Sequence, residues 1–300
     1  MRNLNKLMLG VAACAILSFQ TPAQAAGYMA AADDYGLVFA ALGEISGGYR
    51  HADSSDYVNM VGGMVSGAGR VSIPLHDRFS VQIDGDAETY FITGDQSWEP
   101  SGLWLAGGHA SWRDPMRGLF GAFAATGYGL QTNFDNSTDY ELGYLVGLEG
   151  QVYLDALTFY AQAGYADFEA DNEPEGFIEG WFVRGVGRWF PSDDSMVEAE
   201  LAYGHTSQFV DGSDNGNILN WGLQGKMRIT ESMPIYATAA YRGGYYDATS
   251  EDDDGSEHMF TVGFNVLFGP RSLKDNDRRG ATLDLPRLPA RAAPWGEGLD

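Results

Sequence analysis

Three observations predict an all-β fold, a transmembrane antiparallel β-barrel of about twelve strands. Apolar residues recur with period two along most of the chain, the alternating runs are long, and the connections between them alternate between tight and extended. Period-two patterning sets one face of each strand against something apolar and the other against something polar. Most runs reach about 11 to 16 residues, against about 5 or 6 in soluble proteins and roughly 9 to 11 for a tilted strand crossing a bilayer.

At the N-terminus, Arg2 and Lys6 precede an apolar stretch from Leu7 to Phe19 and a small-residue site at Ala23-Gln24-Ala25. This is the pattern of a secretory signal over residues 1–25, and the stretch is too short for a membrane helix. The apolar run continues past Cys14, which argues against lipoprotein processing there. Cys14 is the single cysteine, so the mature chain is expected to have no disulfide framework and no thiolate metal site. No cofactor or other metal is expected either. Residues 26–36 are read as a periplasmic N-terminal segment, and 37–268 as the barrel.

Strands are expected near 37–50, 56–73, 78–91, 102–112, 116–130, 138–152, 155–168, 177–190, 195–207, 217–229, 234–246 and 257–268. In the last, Phe260, Val262, Phe264, Val266 and Phe268 share one face, opposite Thr261, Gly263 and Asn265. Tyr140, Leu142, Tyr144, Val146 and Leu148 likewise oppose Glu141, Gly143, Gly147 and Glu149, and Leu219, Trp221, Leu223 and Met227 oppose Asn220, Gln224, Lys226 and Arg228. Connections after even strands are tight, as at Asp114-Pro115 and Pro191 to Asp194. Those after odd strands are mostly longer and acidic, near 51–56, 93–101, 134–137, 169–175, 210–216 and 247–256. Short periplasmic turns, long external loops and an even strand count belong together in outer-membrane barrels, and both chain ends then fall in the periplasm.

Inside lipid every backbone N–H and C=O must be paired within the protein, so the strands must close into a ring. The 40 glycines relieve crowding inside a strongly coiled barrel. Trp104, Trp112, Tyr128, Trp189, Trp221 and Tyr245 near strand ends suit interfacial girdles. A secreted soluble sandwich would not carry an outward apolar row on almost every strand. With 41 acidic against 18 basic residues, the chain excludes a nucleic-acid partner, because a phosphate backbone demands positive charge.

If the apolar face meets lipid, the opposite set lines the lumen. The candidate pore-lining charges are Asp84, Asp86, Glu88, Glu141, Glu149, Arg184, Arg188, Glu198, Glu200, Lys226, Arg228 and Arg242. Arg184 and Arg188 are expected beside Glu198 and Glu200. Lys226, Arg228 and Arg242 make a second basic strip, and the third strand is its acidic counterpart. This set reads either as a transverse field in an open pore or as paired charges filling a narrow barrel. Residues 269–300 differ in kind, with four prolines, six basic residues and no strand pattern. A basic tail below an acidic body can enter the lumen, touch a periplasmic partner or stay disordered, and its composition predicts disorder.

The body resembles the Gram-negative outer-membrane β-barrel class, closest in type to small porin-like proteins. Its strand ending Val262-Gly263-Phe264-Asn265-Val266-Leu267-Phe268 is similar to the terminal strand that the outer-membrane assembly machinery recognises, although here a tail follows. The resemblance implies passive diffusion of small hydrophilic solutes, with outer-membrane lipid and lipopolysaccharide as surroundings. The alternative is a closed structural or anchoring barrel. A second, local resemblance is to outer-membrane phospholipase A and the lipid A deacylases, which use His-x-Ser on the lipid-facing wall. His205-Thr206-Ser207 matches that spacing, with Asn217 or Asn220 to orient the histidine, and implies an outer-leaflet acyl hydrolase. Gln208 stands where that motif continues with asparagine, and His109-Ala110-Ser111 repeats the spacing at the periplasmic end. The expectation is therefore that the stretch is a polar rim and not an active site.

Overall fold

The computed structural model describes residues 36–54, 57–93, 98–132, 138–170, 179–209, 214–248 and 254–287. Twelve strands form one closed barrel: β1 (Ala40–Ser54), β2 (Tyr57–His76), β3 (Phe79–Thr93), β4 (Trp98–Asp114), β5 (Gly118–Thr132), β6 (Thr138–Leu154), β7 (Leu157–Ala170), β8 (Glu179–Ser192), β9 (Ser195–Phe209), β10 (Asp214–Thr230), β11 (Met233–Ala248) and β12 (Asp254–Phe268). Each strand pairs antiparallel with its sequence neighbours, and β1 closes the ring against β12 from Ala41↔Phe268 to Ser54↔Gly255. Closure leaves no sheet edge unpaired, which is what the hydrocarbon layer demands.

The expected count and parity hold. Strands run from 14 residues in β7 and β8 to 20 in β2, and most are longer than the expected runs, because backbone pairing continues past the apolar belt into polar residues. The loop-end segments at 55–56, 94–97, 133–137, 171–178, 210–213 and 249–253 lie outside the described residues. At the other end the turns are shorter than expected: β2 runs through Pro74 to His76, and β8 through Pro191 to Ser192.

Burial alternates along each strand, most regularly in β8, where Trp181, Val183 and Trp189 face out and Phe182, Arg184, Val186 and Arg188 face in. Outside the ring, Ile45, Val65, Ile83, Phe120, Leu148, Phe159, Leu201, Leu223, Phe260 and Val262 are 47–68 % exposed. An apolar surface this continuous on all sides is a solvent contact with lipid, each large side chain gaining roughly 1.5–3 kcal/mol by leaving water. The chain is thus an outer-membrane β-barrel.

Inside, the lumen is less uniformly polar than the parity argument predicts. Toward the loop end, Leu103, Leu105, Phe123, Leu145, Phe168, Phe182 and Ile218 pack into an inward apolar cluster. Glycine makes room for it. A Cβ at Gly147 would sit 2.6 Å from the Phe123 ring, and one at Gly164 would sit 2.7 Å from the Phe182 ring.

The expected disorder of the tail does not hold for residues 269–287. Directly after β12, Gly269 adopts φ +99°, a conformation that favours glycine, and turns the chain back toward the barrel. A short helix, α1 (Leu273–Arg279), follows, with Ser272 Oγ accepting from the Asp275 N–H at 3.1 Å and Arg278 and Arg279 in the last turn. The Lys274 N–H donates to the Asp193 carbonyl at 3.0 Å, and the Val38 N–H donates to the Arg279 carbonyl at 3.3 Å. Residues 36–39 therefore meet the tail where the sequence pattern starts β1. Residues 280–287 then run into the lumen, where Ala281 and Leu283 are completely buried. Composition misled here because the tail's contacts lie with barrel charges distant in sequence. Residues 288–300 lie outside the described residues.

Candidate functional site

The inward charges and the inserted tail form one network, arranged in tiers from the turn end upward. In the lowest tier, Arg188 on β8 donates to Glu198 (2.7 Å), to Asp277 of α1 (2.9 Å) and to Thr282 Oγ (2.7 Å). Thr158 on β7 also donates to Asp277, at 2.5 Å, and Arg113 on β4 donates to the Gly280 carbonyl at 2.7 Å. Leu273 packs with Leu42, Phe190, Met196, Tyr236 and Leu267. Helix α1 is thus held by apolar contact and by charge.

The middle tier grips the main chain of the tail. The Gln82 side-chain amide donates to the Leu283 carbonyl (2.8 Å) and accepts from the Leu283 N–H (3.3 Å). Gln162 donates to the Asp284 carbonyl at 2.8 Å. Behind these groups lies a histidine between two carboxylates: His109 Nδ1 is 2.8 Å from Glu149, and its Nε2 is 3.4 Å from Asp84. Glu149 also accepts from Tyr160 at 2.7 Å. The Asp284 carboxylate accepts two bonds from Arg184, at 3.0 and 2.8 Å, and stands 4.0 Å from Arg70 and 3.8 Å from Arg188. Burial opposes its ionisation, but the guanidinium groups of Arg184, Arg70 and Arg188 outweigh burial and hold its carboxyl well below the usual carboxylate range. Both Arg184 and Arg188 also lie over the Tyr160 ring, at 5.6 and 5.3 Å.

In the upper tier the polarity reverses. Arg287 pairs with Asp86 and, at 2.7 Å, with Glu88. Glu88 further accepts from Arg242 on β11 (3.0 Å) and from Tyr90 (2.6 Å). Leu285, just below, joins the inward apolar cluster. Beside residues 284–287 a cleft of about 80 Å³ remains, walled by both signs of charge, among them Glu44, Arg70, Glu200 and Arg242.

The structure brings together most of the residues that the sequence singles out. Arg184 pairs with Glu200 (2.8 Å) and Arg188 with Glu198, as parity and strand order require. Lys226 faces inward but pairs with Glu44 and Asn265, each at 3.1 Å. Arg228 sits at the turn-end rim with Asp194, at 2.9 Å. Glu141 belongs to β6, but its side chain lies outside the described residues. Sequence reasoning missed His109 and Arg113 as inward groups, and it missed Asp277, Asp284 and Arg287 of the tail. The available signals were the parity of β4, with Trp112 outward between Ser111 and Arg113, and the acid–base order of Asp284 and Arg287 in a segment otherwise apolar.

On the outer wall, His205 Nδ1 lies 3.0 Å from Asn217 Oδ1, which also accepts from Tyr203 at 2.6 Å. The Trp181 ring is 6.0 Å away. Asn220 does not join this group, because a three-residue offset in a strand turns it inward, where it lines the cleft. Ser207 belongs to β9, with its side chain outside the described residues. Among the described residues, no group of three or more His, Cys, Asp or Glu side chains is arranged to hold a metal ion.

Fold and lumen together define an outer-membrane β-barrel with its own tail folded inside. No protein-family model matches the chain, and a search of curated proteins finds no match. Among solved structures, it is similar to an outer-membrane channel from Pseudomonas putida F1, with 13% identity, TM-score 0.55, and coverage of 79% of this chain and 99% of that one. The translocator domain of the autotransporter NalP from Neisseria meningitidis aligns more loosely, with 12% identity, TM-score 0.46, and coverage of 86% of this chain and 96% of that one. At these identities the likeness is one of fold.

Proposed function

We propose that the protein is an outer-membrane channel for small hydrophilic solutes, held closed by its own tail. One observation supports this reading above the others. The wall carries lumen-facing charges of both signs, such as Arg184, Glu200 and Arg242, while the segment that fills the lumen is tethered and not part of the wall. A filling joined to the barrel at one end can leave without breaking the ring. Both termini are placed in the periplasm, with residues 1–25 removed on export. The acidic external loops concentrate cations at the mouth, so cations enter more readily than anions.

Single-channel recording in planar bilayers tests the reading. The wild-type protein should show rare openings, and the Asp284→Lys variant should open far more often and conduct cations in preference to anions. Silence from both, in preparations whose electrophoretic mobility shows a folded barrel, would replace the channel with the closed anchoring barrel.

A further inference from the structure

We propose that the lumen is a peptide-binding cleft which residues 281–287 occupy as an intramolecular ligand. The free ligands that it takes are short peptides with an acidic residue followed, three positions later, by a basic one. The substrate class rests on the channel reading only for its electrical readout.

The first ground is recognition of a peptide main chain. Gln82 pairs its amide with both the N–H and the C=O of Leu283. Gln162 donates to the next carbonyl, that of Asp284, and Arg113 donates to that of Gly280. A wall that sorted only ions or sugars would have no use for a side-chain amide matched to a peptide's own donor and acceptor. The second ground is the order of charges. Arg70, Arg184 and Arg188 surround the Asp284 carboxylate, and Asp86 and Glu88 hold the Arg287 guanidinium. Three residues of peptide span at most about 10 Å, so the two poles fix both the direction and the register of whatever lies between them. The third ground is the apolar content. Leu283 packs with Leu119, Tyr153, Tyr160 and Val186, and Leu285 enters the loop-end cluster. Acid, apolar, proline, base is the pattern the wall reads, and the adjoining cleft offers a competing peptide its entry beside the tail.

The test uses the full-length protein and a double variant, Asp284→Lys with Arg287→Glu, whose tail carries the reversed charges. The probes are the fluorescent peptide ATLDLPR and its charge-swapped counterpart ATLRLPD. By fluorescence anisotropy the double variant should bind ATLDLPR at least about 10-fold more tightly than ATLRLPD, a difference of about 1.4 kcal/mol. It should also bind ATLDLPR more tightly than the wild type does, because the wild-type tail already fills the site. Equal binding of the two peptides, or equal binding by the two proteins, overturns the proposal. In bilayers the same peptide should block the variant's current. Binding without any current to block keeps the peptide site and removes the channel, whereas block that ignores charge order keeps the channel and removes the site. Should the double variant not fold, wild-type protein gives a separate reading. Saturating ATLDLPR should accelerate amide hydrogen exchange at 281–287, ATLRLPD should not, and an unchanged rate with both overturns the proposal.

Discussion

Asp284 concentrates the energetics of tail insertion in one side chain. It accepts two hydrogen bonds from a guanidinium whose side chain is only 5% exposed, so removing it leaves Arg184 with Glu200 as its remaining carboxylate. Breaking a buried pair on one side typically costs about 3–5 kcal/mol, and Asp284→Ala should loosen the tail by about 3 kcal/mol, read as a large rise in open probability. The depressed carboxyl sets the acid response. Its contribution to the inserted state is complete above the unfolded value of about 4 and is lost only as pH falls further, toward the folded value. Currents should therefore stay unchanged through Asp284 between about pH 5 and 8 and rise only in stronger acid. On the outer wall, His205→Ala and Ser207→Ala should cause no loss of fatty-acid release from phospholipid or lipid A. His205 has an orienting partner in Asn217, but the aromatic surroundings of Tyr203 and Trp181 suit an interfacial rim. Release that vanishes in the Ser207→Ala protein would make the rim an active site.

At the scale of elements, β12, Gly269 and α1 act as one unit, a strand that ends in a turn and feeds a plug. At φ +99° a side chain on residue 269 is strained by about 1 to 3 kcal/mol, and its Cβ would collide with the Phe39 carbonyl oxygen. Gly269→Val should leave the barrel folded and the tail poorly seated, so that protease added from the periplasmic side cuts between 270 and 287 much faster than in the wild type. Unchanged protection would show that the turn does not set the tail's position. Sequence pattern identifies β12 because lipid requires an apolar residue at every second place, as in Phe260, Val262 and Phe264. It cannot identify the plug, because Asp284 meets Arg184 and Arg287 meets Glu88 across separations of 100 and 199 residues. No local periodicity encodes such pairings. The same reason hides the partners of His109, since Asp84 and Glu149 arrive from β3 and β6.

For the whole molecule, the proposed orientation puts the tight turns and the tail on the periplasmic side. With the tail inserted from the turn side, protease applied to intact cells should cut within 247–256 and spare 270–287. Cleavage confined to the tail would invert the orientation. The strand count and facing were open to inference from the chain alone, since each rests on one-dimensional alternation against a uniform solvent. Whether the lumen was empty or filled was not, since a wall of mixed charge such as Arg184, Glu200 and Lys226 satisfies both. The tether also bears on assembly. Residues 273–287 hang from the strand that completes the ring, and the lumen they occupy is enclosed only once β1 and β12 have paired from Ala41↔Phe268 to Ser54↔Gly255. Insertion after closure would take each new molecule through a hollow stage, its charged interior flooded with water, before it seals itself from below. In a refolding time course, the compact electrophoretic form should appear first and protease resistance of the tail later. The interval between them measures how long a nascent copy leaks.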